Sequence, residues 1–95
     1  INIRIDRGEL WENAVFRSLA DRNGTDEIRF WRTADGKEVD FVLPGIEHPS
    51  AWEAKLDEKS NNLNKYQLFT ESYPTINFSF ANLNPWNENL IRFIF

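Results

Sequence analysis

Two short stretches, Val39-Asp40-Phe41-Val42-Leu43 and Ala51-Trp52-Glu53-Ala54-Lys55-Leu56, alternate with a period of two across a turn rich in Pro and Gly. Successive side chains of a strand point to opposite faces, so this period decides which residues travel together. In the first stretch Val39, Phe41 and Leu43 are expected on one face, with Glu38, Asp40 and Val42 on the other. In the second, Trp52, Ala54 and Leu56 oppose Ala51, Glu53 and Lys55. Pairing the two strands brings Asp40, Glu53 and Lys55 to one patch, because residues opposite one another on paired strands are neighbours.

The flanking segments complete a sheet covered by helices. Glu9 to Ala20 carries apolar residues at helical spacing, and Asp21-Arg22-Asn23-Gly24 stops it. Trp11, Val15, Phe16 and Leu19 span one arc, and Glu12 falls within it, which predicts a carboxylate on the core-facing stripe. Ile28 to Thr33 is β-branched and aromatic, and Ala34-Asp35-Gly36 signals a hairpin into Lys37 to Leu43. Pro44 to Pro49 reads as a turn, and Asp57 to Asn62 as a polar loop. A second helix follows, with Ser60 or Asn62 as its cap, an apolar face of Leu63, Tyr66 and Phe69, and its end at Pro74. Thr75 to Ala81 reads as a strand, Asn82 to Asn89 as a loop, and Leu90 to Phe95 as a terminal strand. Hairpin-linked strands followed by a helical crossover imply an α/β domain with a mixed β-sheet flanked by helices, its core running α-β-β-β-α-β.

Bulk composition narrows the chemistry. The 95 residues are 41% hydrophobic and 15% aromatic, enough for one domain with a single core. No cysteine is present, which excludes a disulfide scaffold and thiolate metal sites. A metal would take oxygen donors, or the lone His48, so the expected class is hard: Mg2+ or Mn2+. No signal-peptide core or long apolar run occurs, so a cytoplasmic location and no membrane partner are expected. The absence of Met and the apolar Leu90 to Phe95 end suggest a piece of a larger protein, and oligomer formation stays open. A net charge of -4 runs against the basic face usual in nucleic-acid binders, although clustered acids awaiting a divalent cation produce the same deficit.

Acid-x-Lys is not itself distinctive, since Asp35-Gly36-Lys37 and Asp57-Glu58-Lys59 repeat it. Glu53-Ala54-Lys55 differs in its context: a strand with an apolar back, an acid one strand earlier, and an acid on a helix stripe. Phosphodiester hydrolysis needs a polarising metal and a cation near the attacking water, and two carboxylates with a lysine supply both. The competing reading is a solvated sheet face with cross-strand ion pairing.

On these residues the chain resembles the restriction-endonuclease-like superfamily, with its Asp followed by Glu-x-Lys. Glu12 matches the helix acid, Asp40 and Glu53 the two strand acids, and Lys55 the lysine. A closer resemblance is to the C-terminal domain of unknown function that follows the ATPase module in many prokaryotic AAA-type ATPases. It is carried by Gly8-x-Leu10-x-Glu12-Asn13-x-Val15-Phe16, Phe30-Trp31-Arg32, Glu38-Val39-Asp40-Phe41-Val42 and Glu53-Ala54-Lys55. The resemblance implies a nuclease-like domain over residues 1–95, with Mg2+ or Mn2+ held by Asp40, Glu53 and Glu12. It implies Asp40, Glu53 and Lys55 as the catalytic set. The implied partners are nucleic acid and the ATPase module of the same chain. The alternative keeps the fold and makes it a catalytically silent regulatory or interaction module. No Gly-rich phosphate loop ending in Lys-Ser/Thr is present, so ATP hydrolysis is not expected of these residues.

Elsewhere the ordinary readings dominate. Glu38 is a rim charge, His48 a solvated imidazole, and Gln67 a helix-surface residue that in a nuclease would sit near a substrate phosphate. Trp11, Trp31 and Trp52 are core aromatics, while Trp86 reads as a loop anchor or contact. Lys59 and Lys65 are isolated, Arg29 and Arg32 face opposite ways, and no basic stripe emerges.

Overall fold

A computed structural model describes residues 6–84. Helix α1 spans Arg7–Asn23, and the Asp6 carboxylate starts it by accepting from the Gly8 and Glu9 N–H groups at 2.9 and 3.2 Å. It runs three residues beyond Ala20. Gly24 ends it at φ 87°, where a side chain is disfavoured, and donates its N–H to the Ala20 carbonyl at 2.8 Å. A 3-10 turn, Thr25–Glu27, leads into strands β1 (Arg29–Arg32), β2 (Glu38–Leu43) and β3 (Ser50–Asp57). Two further 3-10 turns, Glu58–Ser60 and Leu63–Tyr66, precede the short helix α2 (Gln67–Ser72) and strand β4 (Asn77–Asn84).

The four strands lie in the order β1-β2-β3-β4, antiparallel except for the parallel β3–β4 pair. The sheet is therefore mixed and flanked by helices, the α/β class that the order of elements predicts. On one face α1 buries Trp11, Val15 and Leu19 against Phe41, Leu43 and Ala81. On the other, Tyr66 and Phe69 cover Val39, Val42 and Ala51. The Trp11 indole N–H donates to the Ala81 carbonyl at 2.8 Å, tying α1 to β4 while satisfying a buried polar atom.

Several expectations change in three dimensions. Alternation puts Val39 with Phe41 and Leu43, yet Val39 joins Val42 in the opposite core. The cause is a bulge: Arg29 pairs Val42 and Trp31 pairs Val39, so β1 advances two residues against three on β2. Asn82, Leu83 and Asn84 are strand rather than loop, because parallel pairing continues through Lys55–Asn82 to Asp57–Asn84. The Asn82 and Asn61 side-chain amides also bond each other reciprocally, both at 2.9 Å. The segment expected as one helix from Leu63 is a 3-10 turn followed by six helical residues, and Leu63 is 60% exposed. Of the two expected caps, Asn62 holds the cap position of Leu63–Tyr66, without a side-chain cap bond, while Ser60 lies inside the preceding turn, which Asp57 caps through a 2.9 Å bond from the Lys59 N–H. Glu12 is exposed, not core-facing, since the buried stripe of α1 is Trp11, Val15, Ser18 and Leu19. The readings of Trp86 and of the Leu90 to Phe95 strand lie outside the described residues. Among the described residues no helix is long and apolar enough to cross a membrane.

Candidate functional site: an acidic cleft where two strands part

The β2–β3 ladder is in register through Leu43–Ser50, Val42–Ala51 and Phe41–Trp52. One further step would set Asp40 against Glu53, but there the β2 bulge turns the backbone out of pairing. Side chains replace the missing ladder bonds. The Asp40 N–H donates to Glu53 Oε1 at 2.9 Å, and the Ala54 N–H donates to Asp40 Oδ2 at 3.0 Å. Each carboxylate thus satisfies an amide that strand separation frees, which answers the requirement that buried amides be paired.

The two acids sit in different surroundings. Glu53 is 6% exposed and its Oε2 accepts the Tyr66 hydroxyl at 2.7 Å, with the Lys55 ammonium 3.7 Å away. Asp40 is half-buried. Burial first, and the Glu53 charge second, push its carboxyl up to about 7, although the bond from Ala54 pulls it down. The Tyr66 phenol is raised, by burial and then by its bond to Glu53, so it stays protonated and acts as the donor. Partial burial, then the charges of Glu53, Glu38 and Glu9, raise the Glu12 carboxyl, and Lys55 opposes them.

These groups surround one cleft of about 370 Å³. Sequence reasoning nominated Asp40, Glu53, Lys55 and Glu12, and all of them line it. Glu12 contributes from α1, across the rim. Glu38 also lines the cleft, exposed, as a rim charge. Gln67 is not in the lining; its amide donates to Glu71 along the α2 surface at 2.8 Å. His48 is exposed. Lys65, which looks isolated in sequence, and Lys37 line the cleft together with Lys55. Tyr66 is the residue that sequence reasoning used only as helix packing. A usable signal exists, since the chain has eight Phe and two Tyr, and a buried Tyr needs a partner for its hydroxyl.

Five carboxylates, from Glu12, Asp35, Glu38, Asp40 and Glu53, face three lysine ammonium groups in the lining, an excess of negative charge. Among the described residues no three His, Asp or Glu side chains assemble closely enough to hold a metal ion. Glu12, exposed on α1, lines the same cleft as Asp40 and Glu53. What the geometry provides is the pair Asp40 and Glu53.

A family model described as a domain of unknown function (DUF4143) matches residues 7–89. Comparison with curated proteins and with solved structures gives no match.

Proposed function

We propose, for a chain that belongs to the DUF4143 family of unknown function, a metal-dependent nuclease-like role: hydrolysis of nucleic-acid phosphodiester bonds within a larger AAA-type ATPase. The carrying observation is that Asp40, Glu53 and Lys55 line one cleft although Asp40 comes from a different strand. The fold reading behind it is restriction-endonuclease-like.

A hard divalent cation fits the donor set. Mg2+ and Mn2+ take one or two carboxylates and keep several waters, which matches two oxygen-bearing side chains in an open cleft. The Asp40 carboxyl is raised chiefly by burial and second by the Glu53 charge, and a bound cation would offset that second contribution. Asp40 and Glu53 would hold the ion, with Glu12 contributing long-range charge. When bound, such an ion supplies Lewis acidity toward a phosphate and toward the attacking water. Lys55 orients that water and stabilises charge developing on the phosphate oxygens. Tyr66 and the Asp40 N–H fix the Glu53 carboxylate. Lys37 and Lys65 offer ammonium groups for neighbouring phosphates.

The second reading, a catalytically silent regulatory or interaction module of that ATPase, draws on a specific observation. Asp40 and Glu53 already have structural work, because each closes a gap in the other strand's hydrogen bonding. Calorimetric titration with Mn2+ separates the two, followed by cleavage assays on single-stranded, duplex and branched substrates with wild type, Asp40→Ala and Lys55→Ala. The nuclease reading expects metal binding lost in Asp40→Ala and cleavage lost in both variants. Absence of metal binding by the wild type, or cleavage that neither substitution alters, leaves the silent module.

A further inference from the structure

Tyr66 connects the core opposite α1 to the cleft. It is 4% exposed, stacks on Phe78 at 5.0 Å and meets Phe80 edge-on at 5.6 Å. Its ring is held on several sides before its hydroxyl is considered. That hydroxyl reaches the buried Glu53 carboxylate at 2.7 Å, a short charge-assisted bond. Glu53 in turn accepts the Asp40 N–H through its other oxygen. The chain of contacts thus runs from the aromatic core through Tyr66 and Glu53 to the backbone of the bulge. Phenylalanine would fill the same aromatic space, so packing alone does not call for a hydroxyl here.

We infer that Tyr66 is a positioning residue: its hydroxyl locks the orientation of the Glu53 carboxylate, which holds the bulge of β2 and presents Glu53 oxygen to a cation in the cleft. The second half of this statement rests on the metal reading above, and the first half stands without it. A buried carboxylate can rotate about its terminal torsion, where the energy wells are broad. Bonds to both oxygens remove that freedom. Partners that orient a ligating carboxylate typically control metal affinity by about 10- to 100-fold.

Amide hydrogen exchange of metal-free full-length chain by NMR, followed by Mn2+ titration, tests this in wild type, Tyr66→Phe and Phe69→Leu. Phe69→Leu loosens the same core without touching the hydroxyl. The expected result is that Tyr66→Phe speeds exchange of the Asp40 amide by about tenfold or more beyond any global change, and weakens Mn2+ binding by at least about tenfold. Phe69→Leu should change Asp40 exchange only in step with overall stability and should leave Mn2+ affinity near wild type. Equal behaviour of the two variants, or an unchanged Asp40 amide in Tyr66→Phe, overturns the inference. Wild type that takes up no Mn2+ defeats the metal reading alone, because Asp40 exchange still decides the positioning role. The wild-type chain gives a check that needs no substitution. The Tyr66 hydroxyl proton should be a discrete, slowly exchanging NMR signal, and rapid exchange with solvent contradicts the lock.

Discussion

Asp40 and Glu53 hold the parting of β2 from β3 together: the Asp40 N–H donates to the Glu53 carboxylate at 2.9 Å, while the Asp40 carboxylate accepts the N–H of Ala54, next to Glu53, at 3.0 Å. The price of this arrangement is two carboxylates side by side, one of them nearly fully buried. The cleft is therefore a place of structural closure and of stored electrostatic repulsion together.

Burial, with that repulsion added, makes stability depend on pH through Asp40. Its carboxyl rises from an ordinary value of 3.8 to about 7, chiefly through burial and then through Glu53. The native state keeps this proton over a range where the unfolded chain has released it, so the stabilisation is complete below about 4 and is lost as pH rises through about 7. Thermal melts should show wild type losing on the order of 2 kcal/mol between pH 5 and 8, after discounting for the partial exposure of the group. Asp40→Asn should flatten that slope. Parallel curves for the two proteins contradict the assignment.

Removing the Glu53 acceptor should cost more than removing its charge. Glu53→Ala leaves the Asp40 N–H and the Tyr66 hydroxyl without their acceptor, which predicts a loss of about 2–4 kcal/mol. Glu53→Gln retains one acceptor oxygen and relieves Asp40, so its loss should be smaller by at least ~1 kcal/mol at neutral pH. Urea denaturation of both variants measures the difference, and equal midpoints refute it.

Lys55 should matter to chemistry and little to folding. Its side chain is 28% exposed and its ion pair with Glu53 is 3.7 Å long, a geometry of small net worth. Under the nuclease reading Lys55→Met should lower the cleavage rate by about 100-fold or more. Its unfolding free energy should stay within ~1 kcal/mol of wild type. A large stability loss would make the lysine structural.

The core opposite α1 should be sensitive to truncation at Phe69. Phe69 is 1% exposed and meets Trp31 edge-on at 5.3 Å, beside the residues that seat Tyr66. Phe69→Ala should cost about 3–5 kcal/mol, read from denaturant midpoints, because the large void cannot fully collapse. A loss below ~1 kcal/mol would show that this face is not packed as described.

Gly24 offers a local test of backbone strain. At φ 87° it ends α1, and a Cβ there would meet nothing within 4 Å, so only conformational strain opposes a side chain. Gly24→Ala should destabilise by roughly 1 kcal/mol, measured as a shift in thermal midpoint. A stabilised variant would contradict the positive φ.

Legibility followed the range of the interactions involved. The period of Ala51 to Leu56 shows Glu53 and Lys55 on one face because strand geometry is local, and the helical spacing of Trp11, Val15 and Leu19 shows the buried stripe of α1 for the same reason. The spacing also drew Glu12 into that stripe, since an arc of side chains does not say where the sheet's edge falls. Val39 was misassigned because a bulge depends on how two strands meet. Asn82 and Asn84 looked like loop residues because their partners on β3 lie far away in sequence. Lys65 looks isolated in sequence for want of the same information, although it lines the cleft.

Sequence by itself determined the mixed α/β order of elements, the absence of thiolate donors and the candidates Asp40, Glu53, Lys55 and Glu12. Tertiary structure alone decided that β2 bulges at Asp40, that Glu53 is buried under Tyr66, and that Glu12 is exposed on α1 rather than turned into the core. Propensity and periodicity are properties of neighbouring residues along the chain. Burial, hydrogen bonds between strands and the interaction of charges depend on distances that exist only after the sheet has formed.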